Sequence, residues 1–343
     1  KKIEFFLNNM TKKINIAIDA MGGSNSPKKV IEGIKISLQS NQDFFFFLYG
    51  RQEEIEKEIY KNKSVQQYCE IINTNDVILD NESPLVAAKK GRKSSMWKAI
   101  ESQKENKSDI SLSAGNTGAL LVISRLILNT INGINKPALA GLWPNNNNMN
   151  VVLDLGANID CSEKNLLDSV SMGSALFKSL FNNDCPKVAL LNIGLEENKG
   201  NDVLRKTFSI LKEKQLKNFK FCGYIEGNHI MDGNVDVIVT DGFTGNVALK
   251  TAEGTANFIT KNLKKSLNKI SLLLSYKSLK QFKEKLDPRK YNGAIFLGLE
   301  SPVVKSHGAT DAIGFAHSIE MCHKIVKANL IEKIKSHLIT VNG

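Results

Sequence analysis

Short apolar runs alternate with longer stretches of helical periodicity along nearly the whole chain. Apolar, β-branched and aromatic runs predict strands at Ile14–Asp19, Phe44–Tyr49, Ile110–Ser113, Ala138–Leu142, Val151–Leu155, Val188–Ile193, Lys220–Cys222 and Val235–Thr240. Several are almost continuously apolar, as strands covered on both faces are. Apolar positions at i, i+3 and i+4 predict helices at Pro27–Ser40, Thr117–Asn129, Leu166–Phe181, Leu204–Lys214 and Gly245–Thr260. This βαβα rhythm predicts an α/β fold, three layers deep (α/β/α), with a largely parallel sheet. There is no internal repeat and no long Pro/Ser linker, and the tract Asn145–Asn148 reads as a loop. Residues 13–343 are therefore expected to form one α/β/α domain, with 1–12 as a poorly ordered N-terminal extension.

Composition narrows the class. The chain has 343 residues, 42% hydrophobic and 24% charged, which excludes wholesale disorder and collagen. No apolar run approaches the ~18 residues of a membrane-spanning helix. The start, KKIEFFLNN, is a poor signal peptide. The five cysteines are scattered and form no CxxC, so reduced thiols in a cytoplasmic setting are expected and a zinc site is not. Charge is the departure: 46 Lys and Arg against 35 Asp and Glu give +11, which suggests an anionic partner. Aromatics at 7%, no Arg-rich patch and no RNP-like or helix-turn-helix signature argue against nucleic acid.

In open α/β sheets, ligands bind beyond the carboxyl ends of the strands. Six such ends place glycine beside short polar residues: Asp19–Gly23, Ser113–Gly118, Asp154–Asn158, Asn192–Asn201, Asp241–Asn246 and Lys305–Asp311. The segments at Gly115–Gly118 and Gly242–Asn246 open helices, whose free N–H groups favour anions. No P-loop, Rossmann GxGxxG or GxSxG signature is present. The pattern predicts a shared site for an anionic ligand. Glu196 and Glu197 lack a His or Asp at ligand spacing, and no metal or other cofactor is expected.

The phrases IAIDAMGG (Ile16–Gly23), SAGNTGAL (Ser113–Leu120), LDLGANID (Leu153–Asp160), LLNIGLEENKGN (Leu190–Asn201), VTDGFTGNVALKTAEG (Val239–Gly254) and KSHGATDA (Lys305–Ala312) occur in this order. Together they resemble the phosphate acyltransferases of bacterial phospholipid synthesis, over Ile14 to about Ala328. Ser24, where that family usually has Asp, Lys93 before Ser94-Ser95-Met96, and Asn292 where it usually has Gly are departures. The resemblance implies a fold like the isocitrate dehydrogenase and phosphotransacetylase group, usually as a homodimer. It implies transfer of a long-chain acyl group from acyl carrier protein to inorganic phosphate, giving acyl phosphate for phospholipid synthesis.

That reaction needs positioning and charge management more than a protein nucleophile. Backbone N–H groups around Gly115–Gly118 are expected to hold phosphate, helped by Lys199. Asn116, Thr117, Asn198 and Asn246 are candidate donors to phosphate or oxyanion, a task worth ~3 kcal/mol per well-placed donor. Gly22, Gly23, Ser113, Asn158 and Thr244 complete the expected substrate-binding set. His307 is expected to donate to the departing sulfur or to bind phosphate. Asp241 is expected to orient a neighbouring donor, and serves equally as a helix-capping carboxylate.

The charge is concentrated. Ala256–Leu286 carries eight lysines against Glu284 alone, so +7 of the +11 sits there. Ile259, Leu263, Leu267, Ile270 and Leu274 fall at helical spacing, and Leu279, Phe282 and Leu286 form a second arm. This predicts a projecting, basic amphipathic hairpin at about 256–290, with Lys261, Lys264, Lys265, Leu267 and Leu274 docking on an anionic membrane or on acidic carrier protein. A dimer-packing helix pair is the alternative for the same segment. Two other functions compete with the leading one: an acyl-CoA:phosphate acyltransferase, and a non-catalytic basic membrane-binding protein.

Overall fold

The computed structural model describes residues 13–181, 183–214, 218–266, 287, 289 and 292–338. The expected N-terminal extension, Leu267, Leu274 and the second arm of the basic hairpin lie outside these residues. In chain order the elements are β1 (Ile14–Asp19), α1 (Lys28–Ser40), β2 (Phe44–Gly50), α2 (Gln52–Lys61), β3 (Cys69–Asn73), α3 (Pro84–Lys90), α4 (Ser95–Lys104), β4 (Ile110–Ser113), α5 (Thr117–Leu128), β5 (Ala138–Pro144) and β6 (Met149–Leu153). There follow α6 (Glu163–Phe181), β7 (Lys187–Asn192), α7 (Asp202–Glu213), β8 (Lys220–Glu226), β9 (Val237–Val239), α8 (Gly242–Ser266), β10 (Ala294–Leu297), β11 (Val303–Lys305), α9 (Ala312–Lys327) and α10 (Leu330–His337).

The strands form one sheet of eleven, in the order β3-β2-β1-β4-β11-β10-β5-β6-β9-β7-β8. Alternate strand residues serve opposite faces. Val151 and Leu153 join a core shared with α1, α6, α9 and α10, while Val152 joins the one under α3, α4 and α5. The expected three layers are thus present, and both faces are apolar because both are covered.

The sheet departs from uniform parallel order at its centre. β10 is antiparallel to β11 and to β5, and β5 is antiparallel to β6. Three reversals leave the β3-β2-β1-β4-β11 half running one way and the β6-β9-β7-β8 half the other. Carboxyl ends of the two halves therefore point to opposite edges of the sheet. The six glycine-containing loops divide accordingly, three to each edge, instead of converging on one.

Candidate active site

At the first edge, Asp19, Ser113 and Lys305 end β1, β4 and β11 side by side in register. The buried Asp19 carboxylate accepts from Ser95 Oγ at 2.6 Å and Ser113 Oγ at 2.7 Å. Burial pushes its pKa up and those two hydroxyls pull it back. Gly115 N–H donates to Ser113 Oγ at 3.0 Å, which ties the loop after β4 to the same group. Ser113 thus serves loop geometry. Gly22 and Gly23 do likewise. A Cβ on Gly22 would stand 2.6 Å from Gly115 N, and one on Gly23, whose φ is +74°, 2.7 Å from Gly308 O and 2.8 Å from Lys29 Nζ.

Asn116 caps α5: its Oδ1 accepts from Ala119 N–H at 3.0 Å. Its Nδ2 donates to the carbonyls of Asp80 and Glu82, both at 2.9 Å, and more weakly to Leu79. The side chain is committed to pinning the 79–82 loop and has no donor left for a ligand. Gly118 permits close packing on Pro84, 2.6 Å from where its Cβ would stand. The N–H groups of Thr117 and Gly118 open the helix and have no intrahelical acceptor.

Two lysines complete this edge: Lys29, which the sequence patterns did not single out, and Lys305, which opens the segment Lys305–Asp311 but is not among the expected site residues. Lys29, in the first turn of α1, is 3% exposed, and Lys305 is 8% exposed. Lys29 Nζ donates to Gly308 O at 2.6 Å. Lys305 Nζ donates to Ser306 O and, at 3.4 Å, to Ala114 O. Neither ammonium has an ion pair among the described residues. Burial lowers each pKa to about 8, against the pull of Asp80 and Asp19. The repulsion of Lys29 lowers Lys305 further.

His307 lies at the rim beside this pair. Its Nδ1 accepts from Ala309 N–H at 3.3 Å, so the neutral ring carries its proton on Nε2. Partial burial lowers its pKa; Glu253 opposes this, while Lys250, Lys305 and Lys29 add to it. Asn292 holds the loop. Its Oδ1 accepts from His307 N–H at 2.9 Å, and its Nδ2 donates to Ser306 Oγ at 2.9 Å and Gly314 O at 2.8 Å. Arg289 adds a bond to Asp311 at 2.9 Å, and Asp311 caps α9.

At the second edge, buried Asp154 accepts from the N–H groups of Gly156, Ala157 and Asn158 and from Asn158 Nδ2 at 2.8–3.0 Å. Burial raises its pKa and these bonds lower it. Asn158 also donates to Pro137 O at 2.7 Å, and Asn246 to Leu155 O at 3.3 Å. Asp241 accepts from Thr244 N–H and Thr244 Oγ1, both at 2.8 Å, and so caps α8. Lys199 and Asn198 are exposed on the loop after β7. Within the chain, the structure does not bring Lys199 to Gly115–Gly118. A cavity of about 480 Å³ lies here, lined by Ile159, Cys161, Leu166, Leu204, Asp241 and Phe243.

Helix α8 connects the two edges. It starts packed on the Asp154 loop and reaches Lys250 and Glu253 about 12–17 Å further along. Those two side chains lie close enough to act on His307. Ala248, Leu249 and Ala252 of α8 and Leu121 and Val122 of α5 are half-buried on the same layer. The end of α8 exposes Phe258, Ile259, Lys261 and Lys265, and Lys264 lies on the same helix.

Comparison with known proteins covers nearly the whole chain. The fatty acid synthesis protein family matches residues 14–333. A phosphate acyltransferase of Pelagibacter ubique is 58% identical over 334 residues, covering 96% of this chain and 100% of that protein. One from Rhodopseudomonas palustris is 42% identical over 335 residues, covering 96% and 95%. Among solved structures, a phosphotransacetylase from Streptococcus pyogenes has a TM-score of 0.60 at 16% identity, covering 96% of this chain and 99% of that one. A branched-chain phosphotransacylase from Enterococcus faecalis has a TM-score of 0.58 at 15% identity, covering 91% and 99%. These two likenesses establish the fold.

Proposed function

The chain belongs to the fatty acid synthesis protein family, and we propose that it transfers a long-chain acyl group from acyl carrier protein to inorganic phosphate. The observation that carries this reading is the first edge. Free amides opening α5, two buried ammonium groups and a neutral histidine with its proton on Nε2 are carried there by the loops after β1, β4 and β11. The names of relatives that match end to end support the same chemistry.

In the proposed reaction a hydrogen phosphate oxygen attacks the thioester carbonyl. A carbon–oxygen bond forms, the carbon–sulfur bond breaks, and the products are acyl phosphate and free carrier thiol. His307 donates its Nε2 proton to the departing sulfur and recovers one from the hydrogen phosphate, so protons balance. The amides at Thr117 and Gly118 face the phosphate and the oxyanion. Asn158 and Asn246 anchor α8, and Asp241 caps it with Thr244 as donor. Lys199 and Asn198 suit carrier docking at the second edge.

The test mixes the full-length protein with long-chain acyl carrier protein and phosphate and measures acyl phosphate. Phosphate-dependent product is expected. Product only from acyl-CoA would move the assignment to the acyl-CoA enzyme, and none from either donor would refute acyl transfer.

The exposed Phe258 and Ile259, next to Lys261 and Lys265, support peripheral contact with an anionic membrane, where each lysine contributes ~1 kcal/mol. No described helix is long and apolar enough to cross a membrane. Sedimentation with phosphatidylglycerol vesicles that survived Phe258→Glu with Ile259→Glu would refute this contact. The exposed Ile193 and Phe243 at the second edge suit a homodimer, which light scattering measures.

A further inference from the structure

We propose that Lys29 and Lys305 jointly hold the attacking phosphate, as a dianion, between their ammonium groups and the amides that open α5. The identity of the anion rests on the acyl-transfer reading; the site itself rests on geometry. Both side chains are more than nine-tenths buried, yet neither ammonium has a carboxylate partner among the described residues. An ammonium has three protons to donate. Lys29 uses one, on Gly308 O, and Lys305 uses one on Ser306 O and a long one on Ala114 O.

Two uncompensated buried cations are costly, and a chain that keeps them has a reason beyond stability. Asp19, the buried carboxylate on the adjacent strand β1, is already engaged by Ser95 and Ser113. Asp80 lies on the exposed pinned loop. A doubly charged tetrahedral anion balances both ammonium groups and gives the spare protons and the α5 amides acceptors together. A monoanion balances only half the charge, so the pair also selects for dianions. Gly23 fits the same purpose: a Cβ there would stand 2.8 Å from Lys29 Nζ and displace the cation.

The experiment uses the full-length protein, inorganic phosphate as the probe, and the variants Lys29→Met and Lys305→Met. Calorimetry without acyl donor measures phosphate binding, and steady-state kinetics measures KM for phosphate and for acyl carrier protein separately. Each variant should lose at least tenfold in phosphate affinity and raise KM for phosphate by a similar factor. KM for the carrier should hold. In phosphate-free buffer both variants should melt no lower than the parent, because methionine removes a buried charge while keeping the volume. Unchanged phosphate affinity overturns the proposal, as does a lower melting point in phosphate-free buffer, which would mark the lysines as structural. Phosphate binding lost in the variants, with no acyl phosphate made by the parent from any donor, would leave the site standing and refute the acyl-transfer reading. Acyl phosphate made with parental phosphate KM in both variants would refute this site alone.

Discussion

The buried lysine pair predicts two pH dependences of opposite sign. Lys29 and Lys305 have pKa values of about 8 in the folded protein against 10.5 for a free lysine. Between these values the unfolded chain binds more protons than the native one, so stability rises with pH across that window. The slope for one lysine approaches 1.4 kcal/mol per pH unit, so the pair adds on the order of 2 kcal/mol per unit near pH 9. At ~0.7 kcal/mol per degree of unfolding entropy for a chain this long, that is roughly 3 °C per unit. Phosphate affinity moves the other way. The anion needs both cations, and each loses its proton above pH 8, which costs about tenfold per lysine per unit. The groups facing the pair are Asp19 on β1, Asp80 on the pinned loop, Lys250 on α8 and, through His307, Glu253. The assay is a melting curve in phosphate-free buffer from pH 7 to 10, run beside phosphate titrations, for the parent and Lys305→Met. The melting-point difference between the two should narrow as pH rises while their phosphate affinities converge. A difference independent of pH would refute the reasoning.

Three further outcomes follow from the hydrogen bonds and glycine contacts. Asn292→Ala removes the two bonds that fix Ser306 and His307 and the one that ties them to Gly314 O, and kcat should fall about tenfold, equivalent to ~1.4 kcal/mol, with little change in melting point; a normal kcat would show that the loop needs no such support. Asn116→Ala removes a helix cap worth ~1 kcal/mol and releases the 79–82 loop, so proteolysis there should quicken while KM for phosphate holds; a raised phosphate KM with unchanged proteolysis would make Asn116 a ligand. Gly245→Ala would press a methyl group onto the Asp154 carbonyl and should cost at least about 2 kcal/mol in urea unfolding, a result refuted by a parental midpoint.

Much of the sheet is legible in the apolar pattern, because runs such as INIAID and ISLS must be strands buried on both faces. β1 and β4 match their expected bounds. The short strands β3, β10 and β11 do not stand out, since three to five residues give no usable period. Strand direction is not encoded in that period at all. An apolar run tells which faces are covered, and the same run fits either direction. The reversals at β10, β5 and β6 therefore redistribute residues that appear equivalent along the chain. Asn116, Asn158 and Asp241 illustrate a second limit. Short polar residues beside glycine serve caps and loop pins as readily as ligands, and here their hydrogen bonds are spent internally. A usable signal for the lysines did exist. Lys29 adjoins the apolar positions Val30, Ile31 and Ile34 of one helix, and Lys305 ends the strand VVK. A cation placed on a buried stripe is the more informative departure from pattern.

The reversal also explains the length and start of α8. Loops on opposite edges cannot share a ligand unless an element crosses between them. Helix α8 makes that crossing, and its first turn is fixed by backbone against backbone. A Cβ on Gly242 would stand 2.5 Å from Asn158 O, and Gly245 seats on Asp154 O. Asp154, held by four donors from its own loop and by Leu139 N–H, makes that seat rigid. A helix so anchored carries Lys250 and Glu253, whose charges act on His307. The chain then returns through Arg289 and Asn292, which bind the loop that carries His307. In the proposed reaction Asp154, Asn158, Asp241 and Asn246 therefore contribute by fixing the start of α8, about 12 Å along that helix from Lys250.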